Sequence, residues 1–148
     1  MRRVLCAVAG LVLVACSSVK PVAVKTGDVC FRCGRTITEP KLATQLVAAN
    51  GEHATFKTPG CLATYLRTNQ TGDRTIFVTD YPTGEMFPVT TAVFVRGTID
   101  EATGERDYYA FRSAADAAKR AEQEKTTAVD WATVRTLVAA EKPKKKTT

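Results

Sequence analysis

Asn50-Gly51, set between "LATQLVAA" (42–49) and "EHATFK" (52–57), narrows the fold of this chain more than any other feature. The pair takes the backbone dihedrals of a tight hairpin at little cost, so the flanking stretches are predicted to be strands joined by a turn. Beyond the hairpin the apolar period changes. Thr58 suits a helix N-cap and Pro59 the first helical position. Leu62, Tyr65 and Leu66 then fall at i, i+3 and i+4, which predicts a short amphipathic helix over "CLATYLRT". "RTIFVTDY" (74–81) returns to strand text.

The second half repeats that order. "FPVTTAVFVRG" (87–97) reads as one long strand and "RDYYAFR" (106–112) as another. Ser113 and Asp116 resemble a capping box, and Ala114, Ala117, Ala118 and Ala121 line one face of a helix running to about Lys125. "TAVDW" (127–131) is predicted as a last short strand, with Asp130 capping a terminal helix over "WATVRTLVAAE". Laid over each other, "FKTPGCLATYL" and "FRSAADAAKRA" match Phe56 to Phe111 and Ala63 to Ala118. The reading is a weak internal repeat. The expected fold class is α+β: two similar strand–strand–helix–strand units packed as one small domain, residues 28–82 and 83–141, the second carrying the terminal helix.

The chain opens "MRRVLCAVAGLVLVACSS". Arg2 and Arg3 precede an apolar run too short to span a bilayer, which is the pattern of a secretory signal over residues 1–15. Leu-x-Ala before Cys16 resembles the bacterial lipobox. That resemblance implies cleavage before Cys16, lipid attachment to its thiol, and, with Ser17 following, an outer-membrane rather than inner-membrane destination facing the periplasm. Residues 16–27 carry no periodic face and read as a lipidated tether. Losing Arg2 and Arg3 takes the net charge from +6 to +4, and Lys142, Lys144, Lys145 and Lys146 supply those four. A near-neutral body with a basic tail (142–148) argues against a nucleic-acid partner; the tail reads as a solvated end.

After processing, Cys30, Cys33 and Cys61 remain, an odd number for an oxidising compartment. His53 is the only histidine, so a hydrolytic triad has no base to spare, and no glycine-rich phosphate loop occurs. No enzymatic activity is expected. "CFRCG" has three readings: metal knuckle, redox couple or disulfide staple. Its sequel, "RTITEP", is poor helix text, which argues against a redox helix. Gly34 permits the positive dihedral that turns amides toward thiolates, and the spacing suits two ligands on one ion. Cys61, in the first turn of the predicted helix, is a third candidate, favoured as thiolate by the helix dipole. Three thiolates suit Cu(I); adding His53 makes a Cys₃His zinc site, and a metal-free staple also stays open. Met86 reads as a filler rather than a thioether ligand.

Taken in order, "CFRCG", the Asn-Gly hairpin, "PGCLATYL", "VTDYPTGE", "AVFVRG" and "YYAFRSAADA" resemble the nitrous-oxide-reductase accessory lipoproteins (NosL), over about Cys30 to Trp131. The resemblance implies a fold of two similar units related to the organomercurial-lyase N-domain, strengthening the repeat. It further implies Cu(I) binding in the periplasm, with delivery to a protein recipient for the copper–sulfide centre of nitrous oxide reductase. The family's usual Cys-Gly-Met motif carries over at Cys33, but Arg35 stands where its methionine would be. A second family methionine falls near Gly104, Glu105 and Arg106, again without sulfur.

Overall fold

Residues 18–141 are described by the computed structural model. The signal, Cys16 and the basic tail lie outside these described residues. The hairpin forms β1 (Thr44–Val47) and β2 (His53–Phe56), paired antiparallel with Val47 opposite His53. The loop closes through Ala48 N–H to Glu52 C=O (2.8 Å) and Gly51 N–H to Ala48 C=O (3.0 Å), with Gly51 at φ +90°. Asn50 accepts from Glu52 N–H through its side chain. A left-handed residue closing a three-residue loop is what the glycine supplies. The helix α1 (Pro59–Tyr65) follows, capped by Thr58, whose hydroxyl accepts from Cys61 N–H at 3.1 Å. Then β3 (Thr75–Thr79) pairs with the other side of β1.

The expected long strand over 87–97 is two elements. Pro88 has no N–H to continue a ladder, and the chain breaks there into β4 (Met86–Pro88), a 3₁₀ turn at Val89–Thr91, and β5 (Val93–Asp100). β4 closes the first sheet, whose order is β2-β1-β3-β4; β5 pairs with β6 (Glu105–Phe111) in a second sheet. The predicted strand at 127–131 shrinks to one antiparallel bridge, Phe94 with Val129, held by two 2.8 Å backbone bonds. A parallel bridge from Asp80 to Ala110 joins the end of β3's segment to β6. The helix α2 (Ala114–Gln123) is capped by Ser113 and α3 (Trp131–Ala140) by Asp130.

Each of the first two helices covers its own apolar cluster. Leu62 of α1 and its C-cap Leu66 close over Leu46 and Phe56; Ala117 and Ala121 of α2 close over Val95, Tyr109 and Phe111. Between them a third cluster joins Val78, Phe87, Phe94, Tyr108 and Val134 of α3. The expected alanine stripe is rotated: Ala114 and Ala118 are exposed, and the buried face is completed by Arg120, stacked 3.9 Å from the Tyr109 ring centroid and paired with Glu124. An arginine stem covers apolar surface while its head stays charged. Part of the segment read as a lipidated tether docks on the body: Gly27 N–H donates to Ile37 C=O at 3.0 Å. Val22 exchanges 2.9 Å bonds with the side chain of Gln45, which is how a buried amide on β1 is satisfied.

Candidate metal centre

Cys30 and Cys33 sit on a loop folded back on itself. Cys30 N–H donates to Arg35 C=O (2.9 Å), Gly34 N–H to Cys30 C=O (2.9 Å), and Ile37 N–H to Asp28 C=O (2.7 Å). Gly34 takes φ +69°, the turn the sequence anticipates. Ile37 is fully buried and anchors the loop from behind. At its tip, Phe31 N–H donates to Thr55 C=O at 2.8 Å, fastening the knuckle to β2. The Phe31 ring stands edge-on to Phe56 and Tyr65 at 5.9 and 5.8 Å. The loop is therefore held by backbone and aromatic contacts.

α1 brings the third sulfur. Cys61 Sγ lies 3.8 Å from Cys33 Sγ, and the sulfurs of Cys30, Cys33 and Cys61 all lie within 4.8 Å of one another. All three are free thiols. Metal–thiolate bonds of about 2.3 Å in a trigonal or tetrahedral set place sulfurs about 4 Å apart, so the observed spacing is close to that of a three-sulfur site. Cys30 is buried, Cys61 half-buried and Cys33 exposed.

The three thiols differ in acidity. Cys30 is lowered to about 4, first because Cys61 donates its S–H to it and further because the N–H groups of Cys33 and Lys57 point at it. Cys61 is pushed up, first by that same hydrogen bond to Cys30, then by burial and by the charges of Cys30, Cys33 and Asp107. The sequence suggests the opposite for Cys61, a thiolate favoured by the helix dipole. The reversal comes from the neighbouring Cys30 thiol and from burial, and the first-turn amides are already engaged elsewhere. Cys61 N–H is taken by Thr58, and Gly60 N–H donates to Asp107 Oδ1 at 2.8 Å.

His53 and Met86 do not join the cluster. His53 is exposed at the start of β2, its Nδ1 3.4 Å from Gly51 C=O; Met86 lies on β4, at the edge of the sheet opposite β2. No fourth protein ligand of a Cys₃His site is gathered. Arg35 does lie near the site, but turned to an acidic partner: it pairs with Glu105 at 3.6 Å, and Glu105 also holds Lys57 at 3.3 Å.

Asp107, which the sequence did not single out, braces the third sulfur from the second sheet. Its carboxylate accepts from the Thr58 hydroxyl (2.7 Å), Gly60 N–H (2.8 Å) and Tyr108 N–H (2.7 Å). Alternation along β6 makes it look like an ordinary polar position, and only the tertiary contact to α1 sets it apart. Burial, its largest influence, raises the Asp107 carboxyl above its ordinary value, and its three donors only partly offset this. An acid raised in the folded state binds more protons there than in the unfolded chain. Its contribution to stability is therefore largest at low pH and falls as pH rises from the ordinary carboxylate value through the folded one. Asp107→Asn, which keeps an acceptor for the two amides, is expected to flatten that slope in urea unfolding measured across acid to neutral pH. A slope unchanged in the variant would place its origin elsewhere.

The NosL family model matches residues 21–138. The crystal structure of the copper chaperone NosL from Shewanella denitrificans is similar in fold, with a TM-score of 0.61 at 18% identity, over 76% of this chain and 93% of that one. Among curated proteins there is no match.

Proposed function

The chain belongs to the NosL family, and from that premise we propose that it is a non-catalytic, periplasm-facing lipoprotein that carries Cu(I) on Cys30, Cys33 and Cys61 and hands it to a recipient protein. The observation that carries this reading is the meeting of three free sulfurs, from a loop and a helix distant in sequence, within 4.8 Å. A two-cysteine staple has no use for the third. Soft thiolates select Cu(I) over hard ions. Carriage is favoured by low coordination, because an incoming sulfur can bind before a resident one leaves. In this reading Cys16 carries the lipid that holds residues 16–27 to the outer membrane. The recipient is nitrous oxide reductase or its assembly machinery, in line with the copper chaperone whose fold this chain shares.

The positions at which family resemblance places two thioethers here carry Arg35 and a segment containing Glu105, and these two are joined to each other. We read this as a rebuilt site, in which an ion pair replaces the thioethers while Cys30 and Cys61 supply sulfur. The repeat also gains support from topology. β1 lies between β2 and β3, and β5 pairs with β6 on one side and bridges Val129 on the other, which supports the repeat, while β4, from the second unit by sequence, pairs into the first sheet.

Anaerobic titration of the reduced protein with Cu(I) against a competing chelator tests the reading. One equivalent should bind with three sulfur neighbours by X-ray absorption, and Cys33→Ser should lose most of the affinity. No binding, or binding unchanged in Cys33→Ser, would sink the idea.

A further inference from the structure

Beside Cys33 and Cys61 opens a cleft of about 360 Å³ lined by both halves of the molecule. Six cations converge on it: Arg32, Arg35, Lys57, Arg67, Arg96 and Arg106. Glu105 engages Arg35 and Lys57, and Glu141 engages Arg96 at 2.7 Å. Arg32, Arg67 and Arg106 have no acidic partner among the described residues. Tyr108 also lines the cleft; it is 2% exposed, and its hydroxyl has no hydrogen-bond partner among the described residues. A buried unpaired hydroxyl costs stability unless something bonds it. The cleft thus combines surplus positive charge, an unpaired polar group, and two thiols opening onto it.

We propose that this cleft is an anion subsite, and that the copper cargo arrives as the complex of a small, carboxylate-bearing thiol. The copper half of the proposal rests on the function proposed above; the anion half does not. A Cu(I) ion held by two small thiolates is itself an anion, and carboxylates add to its charge. The arginines hold such a complex by paired N–H donors, the geometry in which guanidinium recognises carboxylate. A cleft of this volume accommodates a tripeptide-sized ligand, and its position sets the ligand's sulfur beside Cys33. Transfer is then ligand exchange without redox change. A Cu–S bond forms to a protein sulfur and one to the carrier sulfur breaks. The proton of the protein thiol leaves on the departing small thiolate. An acidic protein loop would meet the same charges, but a concave cleft of this size favours the small ligand.

Two arms test the proposal on the reduced full-length protein. In the metal-free arm, S-methylglutathione (two carboxylates, no free thiol) is titrated and backbone amide shifts are followed by NMR, with S-methylcysteamine as the cationic control. Saturable shifts at Arg67 and Arg106 are expected with the first probe alone. They should weaken by at least about tenfold in Arg32→Gln/Arg67→Gln/Arg106→Gln and on raising salt. Those arginines make no ion pair within the described fold, so the variant should stay folded, which its amide spectrum reports. Absence of the shifts, or their survival in the variant, overturns the anion subsite whatever the copper result. In the second arm, loading from Cu(I)–glutathione is timed against loading from Cu(I)–cysteamine at matched free Cu(I). About tenfold faster loading from the anionic donor is expected, collapsing in the triple variant. Equal rates overturn the cargo class. Failure of both donors to load copper overturns it together with the copper-carrier function, and the metal-free arm still decides the anion subsite alone.

Discussion

Cys61→Ser is expected to cost more Cu(I) affinity than the about 10–100-fold lost when a partner behind a metal ligand is removed, because it deletes the only sulfur that α1 supplies. The exchange nearly preserves volume and leaves Thr58 and Asp107 holding the first turn, so the fold should be little affected. What remains is Cys30 and Cys33 on one loop, able to bind in two-coordinate form. The sulfur count from X-ray absorption should fall from three to two, and chelator competition should report the affinity. Cys30→Ser should be at least as severe, since Cys30 holds its negative charge with the S–H of Cys61 and two backbone amides. A hydroxyl satisfies those donors but offers copper a hard oxygen. If Cys61→Ser leaves both affinity and sulfur count unchanged, the three-sulfur site is wrong and the knuckle alone binds.

Gly60→Ala should be the most destabilising small substitution near the site. A Cβ there would lie 2.5 Å from Asp107 Oδ2 and 2.8 Å from its Cγ. The carboxylate would have to leave, giving up its bonds to Thr58, Gly60 N–H and Tyr108 N–H inside a half-buried site. Overpacking and stranded donors together should cost about 2–4 kcal/mol, read as a lower urea midpoint with an unchanged slope. The same change should weaken copper binding, because Cys61 is next in the chain. Asp107→Ser makes room, so Gly60→Ala should cost much less in that background. A double-mutant cycle giving strictly additive costs would falsify the steric account.

What was legible in the sequence was local. The three helix caps (Thr58, Ser113 and Asp130) each accept the hydrogen bond their residue type implies, because capping is settled within three or four residues. Asn50-Gly51 and Cys-x-x-Cys-Gly were readable for the same reason. The strand switch at Pro88 was not: a β-branched run continues past it, and nothing local says that β4 and β5 belong to different sheets. The last strand had the composition of a strand but finds only one bridging partner, Phe94. Within the site, Cys30, Cys33 and Cys61 could be named as one candidate set from spacing and helix position, while their separations come only from tertiary packing. Asp107 and the arginines of the cleft were out of reach, since their roles come from residues up to about seventy positions apart that only tertiary packing brings together.

The unequal exposure of the three sulfurs gives the cluster a direction. Cys30 is buried behind the knuckle and Cys33 faces outward, so under the proposed function an ion on the cluster would be met from one side. An approaching acceptor would displace Cys33 before it could reach Cys30. Under the proposed function, the order of bond breaking, and with it the orientation in which two proteins would dock to exchange the ion, would follow from which thiol the fold leaves uncovered.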